Sequence, residues 1–120
     1  MGKKILIVDD EPDSRKLLKT FLEMRGYDVL EATDGYDAVE KAVEEHPDMV
    51  IMDMAMPMMD GVNSARTMRL HDELRDMPIV GLTAFGDFYE PRAFAAGCTH
   101  VLHKPVDFRL LEPVVSRYFH

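Results

Sequence analysis

Short apolar runs, separated by segments with helical periodicity, are the feature that most limits how this sequence can fold. The runs lie at residues 5–8, 29–30, 49–52, 79–82 and 101–102. The first, third and fourth are continuously apolar, which is typical of strands buried on both faces of a parallel sheet. A sheet of that kind needs helices on both of its faces.

The segments between the runs carry signals for helix ends. The clearest helix begins near Pro12, which is tolerated in a first turn, and ends at Gly26, which suits a left-handed cap. Its apolar face is formed by Leu17, Leu18, Phe21 and Leu22. A second helix is predicted over residues 36–45, and a third follows Gly61.

Two later helices contain proline. Pro91 fits a fourth helix that begins at about Glu90, because a first-turn proline lacks no bond that the helix needs. The preceding loop, residues 84–89, would then be unusually long. Asp107 would cap a fifth helix, in which Pro113 falls near the sixth position and removes one backbone hydrogen bond. We therefore expect a kinked or short fifth helix.

Strands that alternate with helices predict an α/β fold. We expect a flavodoxin-like doubly wound parallel sheet with the strand order 2-1-3-4-5 and helices on both faces. The sequence has no repeat, low-complexity tract or linker-like stretch. Residues 1–120 are therefore expected to form a single domain.

Charge and composition exclude some partners. The 14 basic and 22 acidic residues give a net charge of −8, which opposes contact with nucleic acid, although an acidic excess is also ordinary for solubility. No apolar run approaches the ~20 residues that cross a bilayer, so we expect no membrane association. The single cysteine, Cys98, cannot form an internal disulfide, which agrees with a cytoplasmic location.

Acidic residues follow two of the predicted strands. Asp9 and Asp10 come directly after the first run, and Asp53 comes directly after the third. These strands would be neighbours, about 4.8 Å apart, at the point where the strand order reverses and ligands usually bind. Three carboxylates there repel one another unless a cation or protonation relieves the charge, and Mg²⁺ or Mn²⁺ would do so. Each aspartate alone could instead be a helix cap or a turn residue.

A hydroxyl and an ammonium group follow the last two predicted strands. Thr83 ends the fourth strand and Lys104 follows the fifth. Together with the carboxylates they would provide a nucleophile, metal ligands and a cation in one pocket. Phosphoryl transfer needs mainly such neutralisation of charge on the phosphoryl oxygens.

These motifs resemble those of the response-regulator receiver family, the CheY-like phosphoacceptor domains of two-component systems. The resemblance rests on the segments 5–10, 53–61, 82–84 and 104–105, which occur in the family's order and spacing. It implies a signalling protein rather than an enzyme, one that catalyses its own phosphorylation and slow self-dephosphorylation. It also implies a histidine kinase or histidine phosphotransfer protein as donor and a downstream protein as target.

The resemblance also assigns a role to each site residue. Asp53 would accept the phosphoryl group, Asp10 would bind the metal directly, and Asp9 would act mainly through metal-bound water. The backbone carbonyl of Ala55 would complete the metal ligands. Thr83 would bind a phosphoryl oxygen, and Lys104 would pair with the carboxylate or the phosphoryl group. The bond between Lys104 and Pro105 is often cis in this family.

Two departures from the family pattern concern the readout of phosphorylation and its lifetime. Val101 stands where family members often have a switching aromatic residue, for which Phe85, Phe88 or Tyr89 could substitute, although such aromatics usually only pack. Ala55 and Phe85 occupy the positions that control access of water to the acyl phosphate, so slow self-dephosphorylation is expected. The missing aromatic residue leaves an alternative, an adaptor with the receiver fold that works without phosphorylation.

Methionines crowd around the expected phosphoacceptor. They are Met52, Met54, Met56, Met58 and Met59. Methionine can form an adaptable binding surface, but two of these positions carry methionine in the family pattern as well. We therefore favour a packing role for this group.

Overall fold

The computed structural model describes residues 2–84 and 88–119, which form a central sheet flanked by helices. The strands are β1 (Lys4–Val8), β2 (Asp28–Ala32), β3 (Met49–Asp53), β4 (Ile79–Thr83) and β5 (His100–His103). All neighbouring strands are parallel, and their order is β2-β1-β3-β4-β5. The predicted doubly wound fold and its strand order are confirmed.

Five α-helices among the described residues connect the strands. They are α1 (Pro12–Glu23), α2 (Gly35–Glu45), α3 (Gly61–Met68), α4 (Glu90–Ala96) and α5 (Phe108–Tyr118). The predicted starts at Pro12, Glu90 and, through the Asp107 cap, Phe108 are confirmed. A short 3-10 turn at Asp72–Leu74, which the sequence analysis did not predict, precedes β4.

Two apolar layers cover the two faces of the sheet. One layer joins Leu6, Val50 and Met52 of the sheet to buried residues of α2, α3 and α4, such as Ala42 and Met68. The other joins β1, β3 and β4 to α1 and α5 through Ile5, Ile7, Ile51, Leu18 and Leu111. Burial of each large aliphatic side chain contributes about 1.5–3 kcal/mol, so both layers stabilise the frame that holds the strand ends.

The expectations for individual helices need two refinements. Helix α1 ends at Glu23, and Gly26 follows with a φ of 86°, the left-handed conformation that favours glycine. Leu17, expected on the apolar face, is 62% exposed, because Leu18 and Leu22 form the face that packs on the sheet. Helix α5 continues through Pro113 for 11 residues, so the helix is not shortened.

Candidate functional site

Asp53 is the last residue of β3 and lies at the carboxyl edge of the sheet. It pairs in register with Leu82 of β4, and it is 5% exposed. One carboxylate oxygen, Oδ1, accepts a hydrogen bond of 3.0 Å from the backbone N–H of Ala55. The other oxygen, Oδ2, faces Lys104. The nearly buried side chain is therefore held in one orientation, and we call the space around its carboxylate the acidic pocket.

Asp9 and Asp10 follow β1 and converge on the same pocket. Val8 pairs in register with Met52, so the residues that follow them, Asp9 and Asp53, lie side by side. One oxygen from each of Asp9, Asp10 and Asp53 lies within 4.8 Å of the others, and no other such acidic group is found in the described part of the chain. The predicted convergence of the carboxylates is present. Three oxygen donors at this spacing suit a hard divalent cation.

Lys104 supplies the positive charge of the pocket. Its Nζ lies 3.0 Å from Oδ2 of Asp53 and 3.3 Å from Oδ2 of Asp9. Its backbone N–H donates to the carbonyl oxygen of Thr83 at 2.9 Å, which fixes the start of the following loop against β4. The peptide bond between Lys104 and Pro105 is cis, as the resemblance implied.

Burial and charge shift the pKa values of the two paired groups. Burial raises the pKa of the Asp53 carboxyl above its ordinary value, and the negative charge of Asp9 adds to this rise. The Lys104 hydrogen bond and the Ala55 N–H offset only part of it. Burial alone would lower the pKa of Lys104, but the hydrogen bond and charge of Asp53, together with Asp9, outweigh burial and raise it. The ammonium is therefore firmly charged, whereas the Asp53 carboxylate is held at an electrostatic cost.

Thr83 and Ala55 lie beside this charged group. Thr83 is the last residue of β4 and is fully buried, directly after the residue that pairs with Asp53. Ala55 is half-buried two residues beyond Asp53, and its N–H already contacts the carboxylate. The structure thus brings all the predicted site residues to one rim of the sheet.

Two residues for which the sequence indicated no role in the site support the pocket. Arg15, one turn into α1, donates from Nη1 to the carbonyl oxygen of Asp9 at 2.8 Å. Gly61 begins α3 so close to β3 that an added Cβ would lie 2.4 Å from the backbone oxygen of Asp53. The spacing of Arg15 three residues after Pro12 indicates the first turn of α1, but no sequence pattern indicates its contact with the Asp9 carbonyl.

The aromatic residues near the missing switch position differ in burial. Val101 in β5 is half-buried and pairs in register with Gly81. Tyr89 packs against the same apolar layer as Val101, whereas Phe88 is 57% exposed and meets the Tyr89 ring edge-on at 4.9 Å. Phe85, the other residue considered, lies outside the described residues. Of the two described aromatic residues, Tyr89 is therefore better placed than Phe88 to substitute for an aromatic residue at position 101.

The methionines around Asp53 divide into buried and exposed members. Met52 and Met54 are fully buried and Met56 is 9% exposed, all within one apolar layer, whereas Met58 is 82% exposed. The packing role is confirmed for these three buried residues.

None of the helices in the described residues combines the length and apolar character needed to span a membrane.

The sequence and fold match known proteins over nearly the whole chain. Residues 5–116 match the model of the response regulator receiver domain. The polar-differentiation response regulator DivK of Brucella ovis is 32% identical over 97% of this chain and 96% of its own length. The chemotaxis protein CheY4 of Vibrio cholerae is 30% identical, with a TM-score of 0.91 over 99% of this chain and 100% of its own.

A further solved structure has a metal ion in the corresponding fold. The receiver domain of the sensor histidine kinase PA1611 of Pseudomonas aeruginosa is 30% identical, with a TM-score of 0.92 over 98% of each chain. That structure contains a magnesium ion coordinated in its active site cleft. This chain is therefore similar in fold and sequence to a receiver domain that coordinates a magnesium ion in its active site cleft.

Proposed function

The chain belongs to the response regulator receiver domain family of two-component systems, and from that premise we propose that Asp53 accepts a phosphoryl group from a histidine kinase or histidine phosphotransfer protein. Members of this family are signalling phosphoacceptors that interact with histidine kinases and downstream targets. The proposal places the protein in the cytoplasm, as its single cysteine suggests. It also assigns the phosphoacceptor role to residues 1–120 as a single receiver domain.

The position of Asp53 carries the proposal. Its carboxylate is nearly buried, shares a 4.8 Å group with two other carboxylates, and lies 3.0 Å from the Lys104 ammonium. A purely structural aspartate would need no second and third carboxylate beside it. Burial raises the pKa of Asp53, and the negative charge of Asp9 raises it further, at a cost in stability. A reaction that uses the negative charge accounts for the arrangement better than a structural role does.

A divalent cation, Mg²⁺ or Mn²⁺, is part of the proposal. Asp9, Asp10, Asp53 and the backbone carbonyl of Ala55 would hold it, and oxygen donors of this kind fit these ions. The magnesium ion in the PA1611 receiver domain supports this choice. When bound, the cation would neutralise charge on the carboxylates and on the phosphoryl oxygens.

Asp53 acts as the nucleophile in the proposed transfer. A carboxylate oxygen attacks the phosphorus of a phosphohistidine, the P–N bond breaks, and the bonding pair returns to the imidazole nitrogen. The product is an acyl phosphate on Asp53. The Ala55 N–H already holds one carboxylate oxygen at 3.0 Å, which leaves the other as the attacking atom.

Lys104 and Thr83 stabilise the charge that moves during the transfer. Lys104 contacts the attacking side of Asp53 in the resting pocket and can follow the charge onto a phosphoryl oxygen. Thr83 would bind another phosphoryl oxygen through its hydroxyl group. These two residues and Asp53 thus form the proposed catalytic group.

Slow self-dephosphorylation is a second part of the proposal. Hydrolysis needs a water molecule positioned for attack on the acyl phosphate, and the methyl group of Ala55 cannot hold one by hydrogen bonding. Phe85, the other residue expected to control this water, lies outside the described residues. We expect a phosphorylated lifetime much longer than seconds, which timed gel separation of the phosphorylated chain would measure. A lifetime of seconds at neutral pH would contradict this part.

Phosphorylation would change the affinity of the surface for a downstream protein. The half-buried Val101 at the usual aromatic position motivates one alternative, an adaptor with this fold that works without phosphorylation. The complete set of Asp9, Asp10, Asp53 and Lys104 argues against the adaptor, because a phosphorylation-independent surface needs none of these charges.

Intact mass measurement after incubation with acetyl phosphate and Mg²⁺ tests the proposal. We expect one phosphoryl adduct on the unmutated chain, none on Asp53→Asn, and an unchanged adduct on Asp13→Asn, which alters an exposed aspartate of α1. Loss of the adduct in EDTA would support the metal requirement. An unmutated chain without an adduct would favour the adaptor, and an adduct that persists in Asp53→Asn would move the acceptor to another residue.

A further inference from the structure

A groove between α3 and α4 lies outside the pocket of Asp53. It has a volume of about 340 Å³, within the size range of sites for small molecules. We call it the α3–α4 groove; it is lined by Asp60, Val62, Asn63, Arg66, Tyr89, Arg92 and Ala95. Its lining contains two arginines in a chain whose net charge is −8.

Neither arginine of the groove takes part in an ion pair with another described residue. Several other described basic residues do pair with carboxylates, as Arg15 and Lys19 do with Glu31, whereas Arg69 donates to backbone carbonyl oxygens. Arg66 instead donates to the neutral side-chain oxygen of Asn63 at 2.9 Å. The guanidinium carbon of Arg92 lies 4.7 Å from the centre of the Phe88 ring. These contacts orient both guanidinium groups without neutralising their charge.

The donors that remain are suited to phosphate. A guanidinium group has five N–H donors in a planar fork that binds phosphate oxygens in pairs, so one contact each leaves most donors available. Asn63 and Tyr89 add polar atoms to the same lining. Asp60 is the acidic residue of the described lining, and its Oδ1 already accepts the backbone N–H of Asn63 at 2.8 Å as the cap of α3.

We propose that the α3–α4 groove binds a small molecule that carries a phosphate or pyrophosphate group, held between Arg66 and Arg92. This binding is separate from phosphorylation of Asp53, because none of the metal-binding carboxylates lines the groove. The phosphate could be carried by an inorganic ion or by a nucleotide. Tyr89 would provide a ring surface for a nucleotide base, so the two sources differ in expected affinity.

Titration of the ¹⁵N-labelled chain in EDTA tests this proposal, because removal of divalent cations keeps phosphate away from the acidic pocket. The probes are pyrophosphate and ADP, each added at low salt to the unmutated chain and to Asp53→Asn. We expect saturable shifts of backbone amide signals concentrated in residues 61–69 and 89–97, equal in both proteins. Tighter binding of ADP than of pyrophosphate would assign a nucleotide, and equal binding would assign the phosphate group alone.

Matched arginine variants decide whether the groove itself binds the probes. Arg66→Gln and Arg92→Gln should each weaken binding about ten- to a hundredfold, the effect of losing charge-assisted hydrogen bonds. Arg75→Gln, which alters an exposed arginine paired with Asp72, should leave affinity unchanged. Absence of saturable shifts, shifts centred elsewhere, or equal weakening by Arg75→Gln would overturn the proposal. Both groove arginines are exposed, and thermal unfolding of each variant checks that it is folded.

Discussion

Replacement of Lys104 by methionine should destabilise the metal-free protein through the carboxylates it leaves behind. Methionine keeps most of the length of the lysine side chain but removes the charge that contacts Asp53 at 3.0 Å and Asp9 at 3.3 Å. The side chains of these two aspartates are only 7% and 0% exposed. Water can therefore replace little of the lost interaction, and the variant has two close carboxylates without a compensating cation.

The size of the effect follows from this burial. Removal of one partner from a buried ion pair costs about 3–5 kcal/mol, since the other charge stays buried. The Lys104 side chain is 20% exposed and the neighbouring Asp10 is exposed, so we expect the lower end of this range, about 3 kcal/mol. For a domain of this size such a loss lowers the Tm by about 10–15 °C.

Urea unfolding in EDTA as a function of pH measures the loss and tests its cause. The pKa of Asp53 is raised already, and loss of the ammonium raises it further. A group with a raised folded pKa contributes stability at low pH that is lost as pH rises through that pKa. The difference in the free energy of unfolding between Lys104→Met and the unmutated chain should therefore be large at neutral pH and shrink as Asp53 becomes protonated.

Two comparisons separate this electrostatic cause from a general packing defect. Added Mg²⁺ should reduce the difference in free energy of unfolding between Lys104→Met and the unmutated chain at neutral pH. A bound cation replaces the missing charge and stabilises the folded state by mass action. Lys19→Met removes a more exposed ion pair, to Glu31, whose side chains are 39% and 36% exposed, and should cost less than about 1 kcal/mol. The reasoning is refuted if Lys104→Met lowers the free energy of unfolding no more than Lys19→Met does. It is also refuted if the loss caused by Lys104→Met is the same at every pH and Mg²⁺ concentration.

Three further predictions concern the frame around the pocket. Gly61→Ala should lower the free energy of unfolding by at least about 2 kcal/mol, because the added Cβ would lie 2.4 Å from the backbone oxygen of Asp53. Gly26→Ala adds a Cβ in open space at a φ of 86° and should cost only about 1 kcal/mol, so equal costs in urea unfolding would contradict a steric cause. Burial raises the pKa of the Cys98 thiol to about 11, so the free energy of unfolding should fall by about 3 kcal/mol as pH rises from about 9 to 11. Cys98→Ala should remove this pH dependence. If the native thiol is alkylated at neutral pH as fast as it is in urea, its burial is contradicted. Pro113→Ala should raise the Tm, because the exposed Pro113 removes one backbone hydrogen bond from α5. Alanine is favoured over proline in a helix by about 3 kcal/mol, a gain that the more flexible unfolded chain partly offsets. A Tm below that of the unmutated chain would show that proline fits α5 better than alanine.

The fold was predictable because its strands carry their own signal. The residues of β1, β3 and β4 are almost all buried, and short, continuously apolar runs between clear helix signals are typical of such strands. Leu17 marks the limit of this reasoning. An apolar pattern identifies a helix and its approximate face, but the edge of that face depends on how the helix lies on the sheet, and here α1 leaves Leu17 62% exposed.

The sequence was enough to predict which residues lie at the carboxyl edge of the sheet, but not which side-chain contacts they make. Strand order alone brings Asp9 and Asp53 together, since Val8 and Met52 pair in register. The contact of Arg15 with the Asp9 carbonyl depends on the rotamer of a long side chain, which no local pattern specifies. The α3–α4 groove depends on the packing of two helices that are distant in sequence, so its two arginines could not be placed together beforehand.

The contacts of Lys104 also indicate where any response to phosphorylation must begin. In the resting pocket the ammonium is shared between Asp9 and Asp53, so a new phosphoryl charge on Asp53 competes directly for it. The backbone N–H of Lys104 is bonded to the Thr83 carbonyl, and Val101 lies three residues before Lys104, within β5. A shift of Lys104 toward the phosphoryl group would therefore act on the ends of β4 and β5 together. Because position 101 carries valine, we expect this backbone link, and not the rotation of an aromatic side chain at that position, to carry a signal of phosphorylation.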